Sequence, residues 1–208
     1  HLAIPTPTFD EFANRAIVQG KQVSPYPLDD NFELNIEGFI GHVNRVNANA
    51  IVLVRPNNPT GTLVSKSSVK HILESLRHLD LVLIDESFID FTGEIPPPSS
   101  DDFMDDFPNL VIMKSLSKIY GIPGLRLGYA SSGNTRMIAE LRRQIPIWNI
   151  NSLAQFFLKE IEHYQGQYFE SCMKVVDANK VLCEALQHIS FLRPYPTRGN
   201  FVMCGVRG

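Results

Sequence analysis

A lysine at position 118 and an arginine at position 126 stand eight residues apart in the run SLSKIYGIPGLRLGY, among two serines and three glycines. Most lysines are solvated surface charges, but this one follows an apolar run. Lysine is the side chain that forms imines with carbonyls once its surroundings favour the free amine. An arginine beside serine hydroxyls (Ser115, Ser117) and free backbone amides suits a phosphate dianion. Gly121, Gly124 and Gly128 leave room for backbone to approach a ligand. Two other polar positions also follow apolar runs. In RPNNPTG, Asn58 is held by Pro59 and can aim its amide at a ligand oxygen, although Asn-Pro and Thr-Gly are equally ordinary turn formers. In LDLVLIDES, Asp85 is either a strand-end carboxylate capping a loop or an acid in a low-dielectric crevice. The second role requires a cationic partner, because burying a lone charge is costly.

Four apolar runs must position these residues: Ala50–Pro56, Leu79–Ser87, Asn109–Ser115 and Leu125–Ser132. Each is apolar on both faces, as buried strands of an α/β sheet are. Two further segments, RAIVQGKQVSPYPL near the start and NFVMCGV at the end, have strand-like character. Between the first two runs, Val69, Ile72, Leu73, Leu76 and Leu79 recur at helical spacing, with Ser65 as the N-cap. Strand, helix and strand at this spacing predict a right-handed parallel crossover. A helix is expected over Asn134–Gln144 and mostly helical structure over Asn151–Ile189, with a break near Gln165–Gly166. Thr92–Asn109, rich in proline and acids, reads as a loop. The fold expected is α/β: a mostly parallel sheet with helices on both faces. Ligands of such sheets sit outside the carboxyl ends of the strands, where all the polar residues above are found.

A lysine for an imine, an acid for a cationic nitrogen, an amide for a ring oxygen and an arginine for a phosphate are together what pyridoxal phosphate requires. NNPTG, LIDESFIDF and SLSKIYGIPGLRLGY, in that order, resemble the three central signatures of the fold type I pyridoxal-phosphate enzymes, specifically the class I/II aminotransferases. IPGLRLGY, FIDF and PIWNINSLAQ narrow the resemblance to the histidinol-phosphate aminotransferases and threonine-phosphate decarboxylases. The resemblance implies roles residue by residue. Lys118 forms the internal aldimine and moves the substrate Cα proton. Asp85 pairs with the pyridine nitrogen, and Asn58 donates to the ring hydroxyl oxygen. Ser115 and Arg126 hold the phosphate, with help from Ser117. Phe9 matches the aromatic that stacks on the ring, and an ordinary core role fits it equally well. Asn149 or Asn151 is expected near the substrate, with a helix N-cap as the other reading. Many relatives carry a tyrosine three residues after the aspartate. Phe88 stands there and cannot donate, so the aldimine is expected to titrate at higher pH than in those relatives.

The function implied is transfer of an amino group between an amino acid, phosphorylated or not, and a 2-oxo acid. Decarboxylation of a phosphorylated amino acid is the alternative. A sensor domain of a regulator built on the same fold is the reading from another class. The resemblance also implies a homodimer. A nucleotide-binding domain is disfavoured by the lack of a GxGxxG or GxxxxGK[ST] pattern after any strand. Apolar residues make up 44% of the 208 and charged ones 20%, an ordinary balance for a globular chain. A net charge of -3 points to no polyanion partner, nucleic acid included. Cys172, Cys183 and Cys204 have no paired spacing and read as small hydrophobes of a reducing, cytoplasmic compartment. No run is long enough for a membrane span, and no metal site is expected. The chain opens without Met and closes on a strand just begun, so a fragment of a longer protein is expected, poor at holding the cofactor alone. Residues 1–163 read as the large cofactor-binding domain, and residues 164–208 as a connecting helix and the start of a small α+β domain.

Overall fold

The computed structural model describes residues 1–207. Its centre is a six-stranded sheet in the order β2-β1-β3-β4-β5-β6. The strands are β1 (Leu2–Thr6), β2 (Val23–Pro27), β3 (Ala50–Val54), β4 (Leu81–Asp85), β5 (Leu110–Ser115) and β6 (Gly128–Ser131). All pairs are parallel except β5 with β6, which is antiparallel. The chain runs outward from β1 to β2, then crosses back so that β3 lies on the other side of β1. That reversal opens a crevice at the strand ends.

Successive side chains of a strand point to opposite faces, and β3 buries both. Ile51 and Leu53 pack on one face with Val82, Ile84, Leu110 and Ile112, beneath Phe39, Val43, Val69, Ile72 and Leu73. Those covering residues belong to α2 (Ile36–Arg45) and α3 (Lys66–Ser75). Val52 and Val54 face the other way with Leu2 and Ile4, against Phe12 and Ala16 of α1 (Glu11–Val18). The expected cap of α3 is present: the Ser65 side chain accepts from the Ser68 amide at 3.0 Å.

The sequence reading needs correction near the start. Residues 15–28 are not one strand. Arg15–Val18 end α1, a turn follows, and only Val23–Pro27 are extended. β1 and α2 were not expected at all. β1 is five residues and contains Pro5, which hides a strand from pattern reading. α2 is interrupted by Gly38 and Gly41, yet it buries Phe39, Ile40 and Val43.

α4 (Leu116–Ile119) lies between β5 and β6, and beyond β6 the chain continues through α5 (Thr135–Gln144), α6 (Ser152–Glu160) and α7 (Gln165–Gln187). The long helical stretch breaks slightly earlier than expected, at a 3-10 turn over Ile161–Tyr164, and Gln165–Gly166 open α7. A separate antiparallel pair, β7 (Leu192–Pro194) and β8 (Cys204–Val206), follows α7. α7 is anchored by Cys172 and Tyr168, which pack with Phe88, Phe91 and Phe201. No helix among the described residues is long and apolar enough to cross a membrane.

Candidate functional site

The strand order brings the chemistry-bearing residues to one edge. Phe9 follows β1, Asn58 follows β3, Asp85 ends β4, Ser115 ends β5, and Arg126 precedes the antiparallel β6. These are neighbouring strands, so residues up to 117 positions apart in the chain share one rim.

Asp85 is 7% exposed. Its Oδ1 accepts two bonds from Ser87, one from the amide at 2.9 Å and one from the hydroxyl. Its Oδ2 accepts none among the described residues. Burial pushes the Asp85 carboxyl above its ordinary value; the Ser87 bonds and Lys118 pull it down, and Glu86 pushes it up. The Ser87 hydroxyl in turn accepts the Ser115 amide at 2.9 Å. The acid and the lysine-bearing turn are therefore joined through one serine.

Glu86, the next residue, has the protein cation. It is 1% exposed and pairs at 2.9 Å with Arg55, which is 0% exposed. Ser99 and Ser100 also donate to it, through both hydroxyls and the Ser100 amide. Arg55 also donates to the carbonyls of Val64 and Pro98. Its backbone amide donates to the Asp85 carbonyl at 2.8 Å. Of the two adjacent acids, one is fully paired within the protein and the other retains a free oxygen. Sequence reasoning missed Arg55. The signal was present, since a second acid beside Asp85 at a buried strand end also requires a cation.

The NNPTG loop sorts its two asparagines similarly. Asn57 is buried and fully bonded: its amide donates to Pro7 at 2.9 Å and to Thr60 at 2.8 Å, and its oxygen accepts from Thr8 at 2.5 Å. These bonds tie the loop to the segment carrying Phe9. Asn58 is partly buried and its side chain has no partner within the described residues. Phe9 is 42% exposed and meets Phe12 edge-on at 5.8 Å, so it is not core.

The turn after β5 differs from expectation in one respect: its amides are not free. Ser115 donates to Ser87, and the amides of Leu116 and Ser117 both point to the Leu127 carbonyl. The Ser117 hydroxyl also reaches Leu127, at 3.4 Å, and Ser117 is buried. A small turn crossing an antiparallel neighbour must satisfy its backbone there. The groups left for an anion are the Ser115 hydroxyl and the exposed Arg126, whose side chain bonds, among the described residues, only to the Pro123 carbonyl at 3.2 Å. Arg126 has a left-handed backbone, φ 56°. Lys118 is exposed, with its amine 6.0 Å from the centre of the Phe88 ring. Open space surrounds Gly121, whose φ is +63°. Asn151 caps α6, accepting from Ala154 at 2.9 Å, and Asn149 is exposed on the approach to that helix.

A second ion pair underlies Phe88. Lys114 and Asp90 meet at 2.6 Å, with 14% and 7% exposure. The Tyr168 hydroxyl is buried beside them without a hydrogen bond among the described residues. Burial first, and then Asp90, hold its phenol neutral. A cleft of about 440 Å³ between Lys118, Tyr120, Tyr164 and Tyr168 lies over this cluster.

The donor set fits pyridoxal phosphate. A buried carboxylate with one open oxygen matches a protonated ring nitrogen, an unbonded amide a ring oxygen, and a hydroxyl with a guanidinium a phosphate. A lysine within electrostatic reach of the acid matches the carbonyl carbon.

A family model described as aminotransferase class I and II matches residues 1–206. The chain is similar to the CMP-5'-(3-aminopropyl)phosphonate synthase of Streptomyces rubellomurinus, 34% identical over 206 residues, covering 99% of this chain and 32% of that protein. It is similar to the L-serine phosphate decarboxylase of Sulfurospirillum multivorans, 32% identical over 216 residues, covering 97% and 53%. The histidinol-phosphate aminotransferase structure from Clostridium acetobutylicum superposes with a TM-score of 0.89 at 28% identity, over 100% of this chain and 62% of that one. The chain thus spans between a third and somewhat under two thirds of these relatives.

Proposed function

The chain belongs to the aminotransferase class I and II family, and from that membership we propose that the whole protein is a pyridoxal-phosphate enzyme acting on an amino acid that carries a phosphate or phosphonate. The observation that carries the reading is an acid, Asp85, that is buried, has one carboxylate oxygen without a hydrogen bond among the described residues, and lies within electrostatic reach of Lys118 but in direct contact with no protein cation.

When bound, the cofactor supplies an electron-accepting ring that stabilises negative charge at the substrate Cα. In this proposal Asp85 holds the proton on the ring nitrogen, which keeps the ring electron-poor. Asn58 donates to the ring oxygen. The Ser115 hydroxyl and Arg126 bind the phosphate, while Phe9 covers a ring face and excludes water. Lys118 would supply the amine for the cofactor's carbonyl carbon and would hold or move the proton at the substrate Cα. Ser117 acts indirectly, by holding the turn to Leu127. Asn149 is exposed, has no side-chain partner among the described residues and is the asparagine assigned to the substrate in this proposal, whereas Asn151 contributes by starting α6.

The first reading of the reaction is amino transfer to a 2-oxo acid in a homodimer. Decarboxylation is the second, favoured by the similarity to the L-serine phosphate decarboxylase. The two differ in which bond at the substrate Cα would be broken, the one to hydrogen or the one to the carboxylate. The test uses the full-length protein. Incubation with pyridoxal phosphate, borohydride reduction and peptide mapping should label Lys118, and K118A should lose the label and the visible absorption band. A band unchanged in K118A removes the lysine from its role. With O-phosphoserine as a probe, release of CO2 or formation of a 2-oxo acid then separates the two reactions.

A further inference from the structure

Ser87 belongs to none of the roles above, yet its hydroxyl stands between two of them. It donates to Asp85 Oδ1 and accepts the Ser115 amide at 2.9 Å, and the residue is 4% exposed. Its backbone amide independently donates to the same Oδ1, closing a local turn. The turn therefore does not require the hydroxyl. A hydrogen bond to the charged form of a carboxylate favours that form. The charged groups acting on Asp85 are Glu86, the residue just beyond its strand, and Lys118 from α4. Glu86 opposes ionisation, and Arg55 together with two serines holds it in place.

We propose that Ser87 is a positioning residue for Asp85: its hydroxyl fixes one carboxylate oxygen, leaves the other for the ligand, and ties the acid to the turn that carries Lys118. This rests on Asp85 being the acid that meets the ring nitrogen. Ser115 thereby contributes its hydroxyl alone to the site, because its amide is already bonded. Burial and Glu86 both work against the charge of Asp85, and the two Ser87 donors are the hydrogen bonds that favour it.

The test reads the acid directly. Full-length apoprotein carrying 13C-labelled aspartate is titrated by NMR, with D85N identifying the Asp85 signal. S87A keeps the turn-closing amide bond and removes only the hydroxyl. Its Asp85 signal should titrate at higher pH than in the wild type, and S87T should bring it back. Pyridoxal phosphate should bind S87A about tenfold more weakly, the loss of one charge-assisted hydrogen bond. Should S87A fail to fold, S87C keeps the volume with a weak donor and is expected to shift the titration the same way. An Asp85 signal that titrates identically in wild type and in the hydroxyl-lacking variant overturns the proposal. A protein that takes up no pyridoxal phosphate would defeat the functional reading instead, and the titration would still decide the role of Ser87.

Discussion

Asp85 and Glu86 are adjacent, buried and chemically alike, and their surroundings give them opposite roles. Glu86 receives Arg55 and the Ser99–Ser100 donors and is a structural ion. Among the described residues Asp85 accepts only from Ser87, and those bonds with the nearby Lys118 offset its burial only in part. A carboxylate raised above its unfolded value binds a proton more readily in the native state, so the Asp85 contribution to stability is greatest below the unfolded value and falls as pH rises from there through the raised one. The Asn variant of Asp85 keeps the shape and cannot ionise. The full-length apoprotein of D85N should therefore be more stable than wild type at pH 7, with the gap closing below the ordinary carboxylate range. Urea denaturation at the two pH values measures this, and equal stability at pH 7 would contradict the burial cost. The gain should vanish when pyridoxal phosphate is present, because the wild-type acid then has its partner.

At the level of elements, α3 is the best-marked helix in the chain and also one that the site depends on. It connects β3 with β4 and so spaces Asn58 from Asp85. Ser65 provides its cap, and S65A should cost about 1 kcal/mol of stability without changing cofactor affinity. Its apolar stripe is fully buried, so L73A should cost about 2–5 kcal/mol. Thermal and urea unfolding compare the two, and a larger loss for the cap than for the core leucine would falsify this ranking. Elements with a strong period or an explicit cap were legible in the sequence: β3, β4, β5, α3 and α5. β1 and α2 were not, because Pro5, Gly38 and Gly41 weaken local propensity while packing against the sheet overrides it.

Across the whole molecule, Arg55 and Gly61 join parts that are distant in sequence. Arg55 links β3, the end of β4 and the proline-rich loop at Pro98 through one buried guanidinium. Removing it leaves Glu86 charged and short of its cation, so R55M should cost about 3–5 kcal/mol. Combining it with E86Q should cost clearly less than the two single variants added together, and an additive double mutant would show that the pair is not coupled. Gly61 has φ +77°, and a Cβ there would lie 2.3 Å from the Thr197 hydroxyl and 2.9 Å from its Cα. The Arg198 amide donates to the Gly61 carbonyl at 2.8 Å across the same contact, and Arg198 pairs with Glu94. G61A should therefore destabilise by about 1–3 kcal/mol and loosen the 195–199 segment from the NNPTG loop. Faster amide exchange at Arg198 would report it.

The amino-acid sequence by itself determined the kind of site. Lys118, Asp85, Asn58 and Arg126 each follow or precede an apolar run, and residue type together with order along the chain is enough to name a chemistry. What it could not determine was which polar groups remain available. Asn57 and Asn58, Asp85 and Glu86, and the amides around Ser117 are locally equivalent. Only the parallel registry of β1, β3, β4 and β5 brings Thr8 to Asn57, Arg55 to Glu86 and Ser87 to Ser115. The physical reason is that a buried polar group must find a partner, and its partners here come from strands that only the folded sheet makes neighbours. The groups left without a partner among the described residues after that pairing, Asp85 Oδ2, the Asn58 amide, the Ser115 hydroxyl and Lys118, are the ones we assign to a ligand.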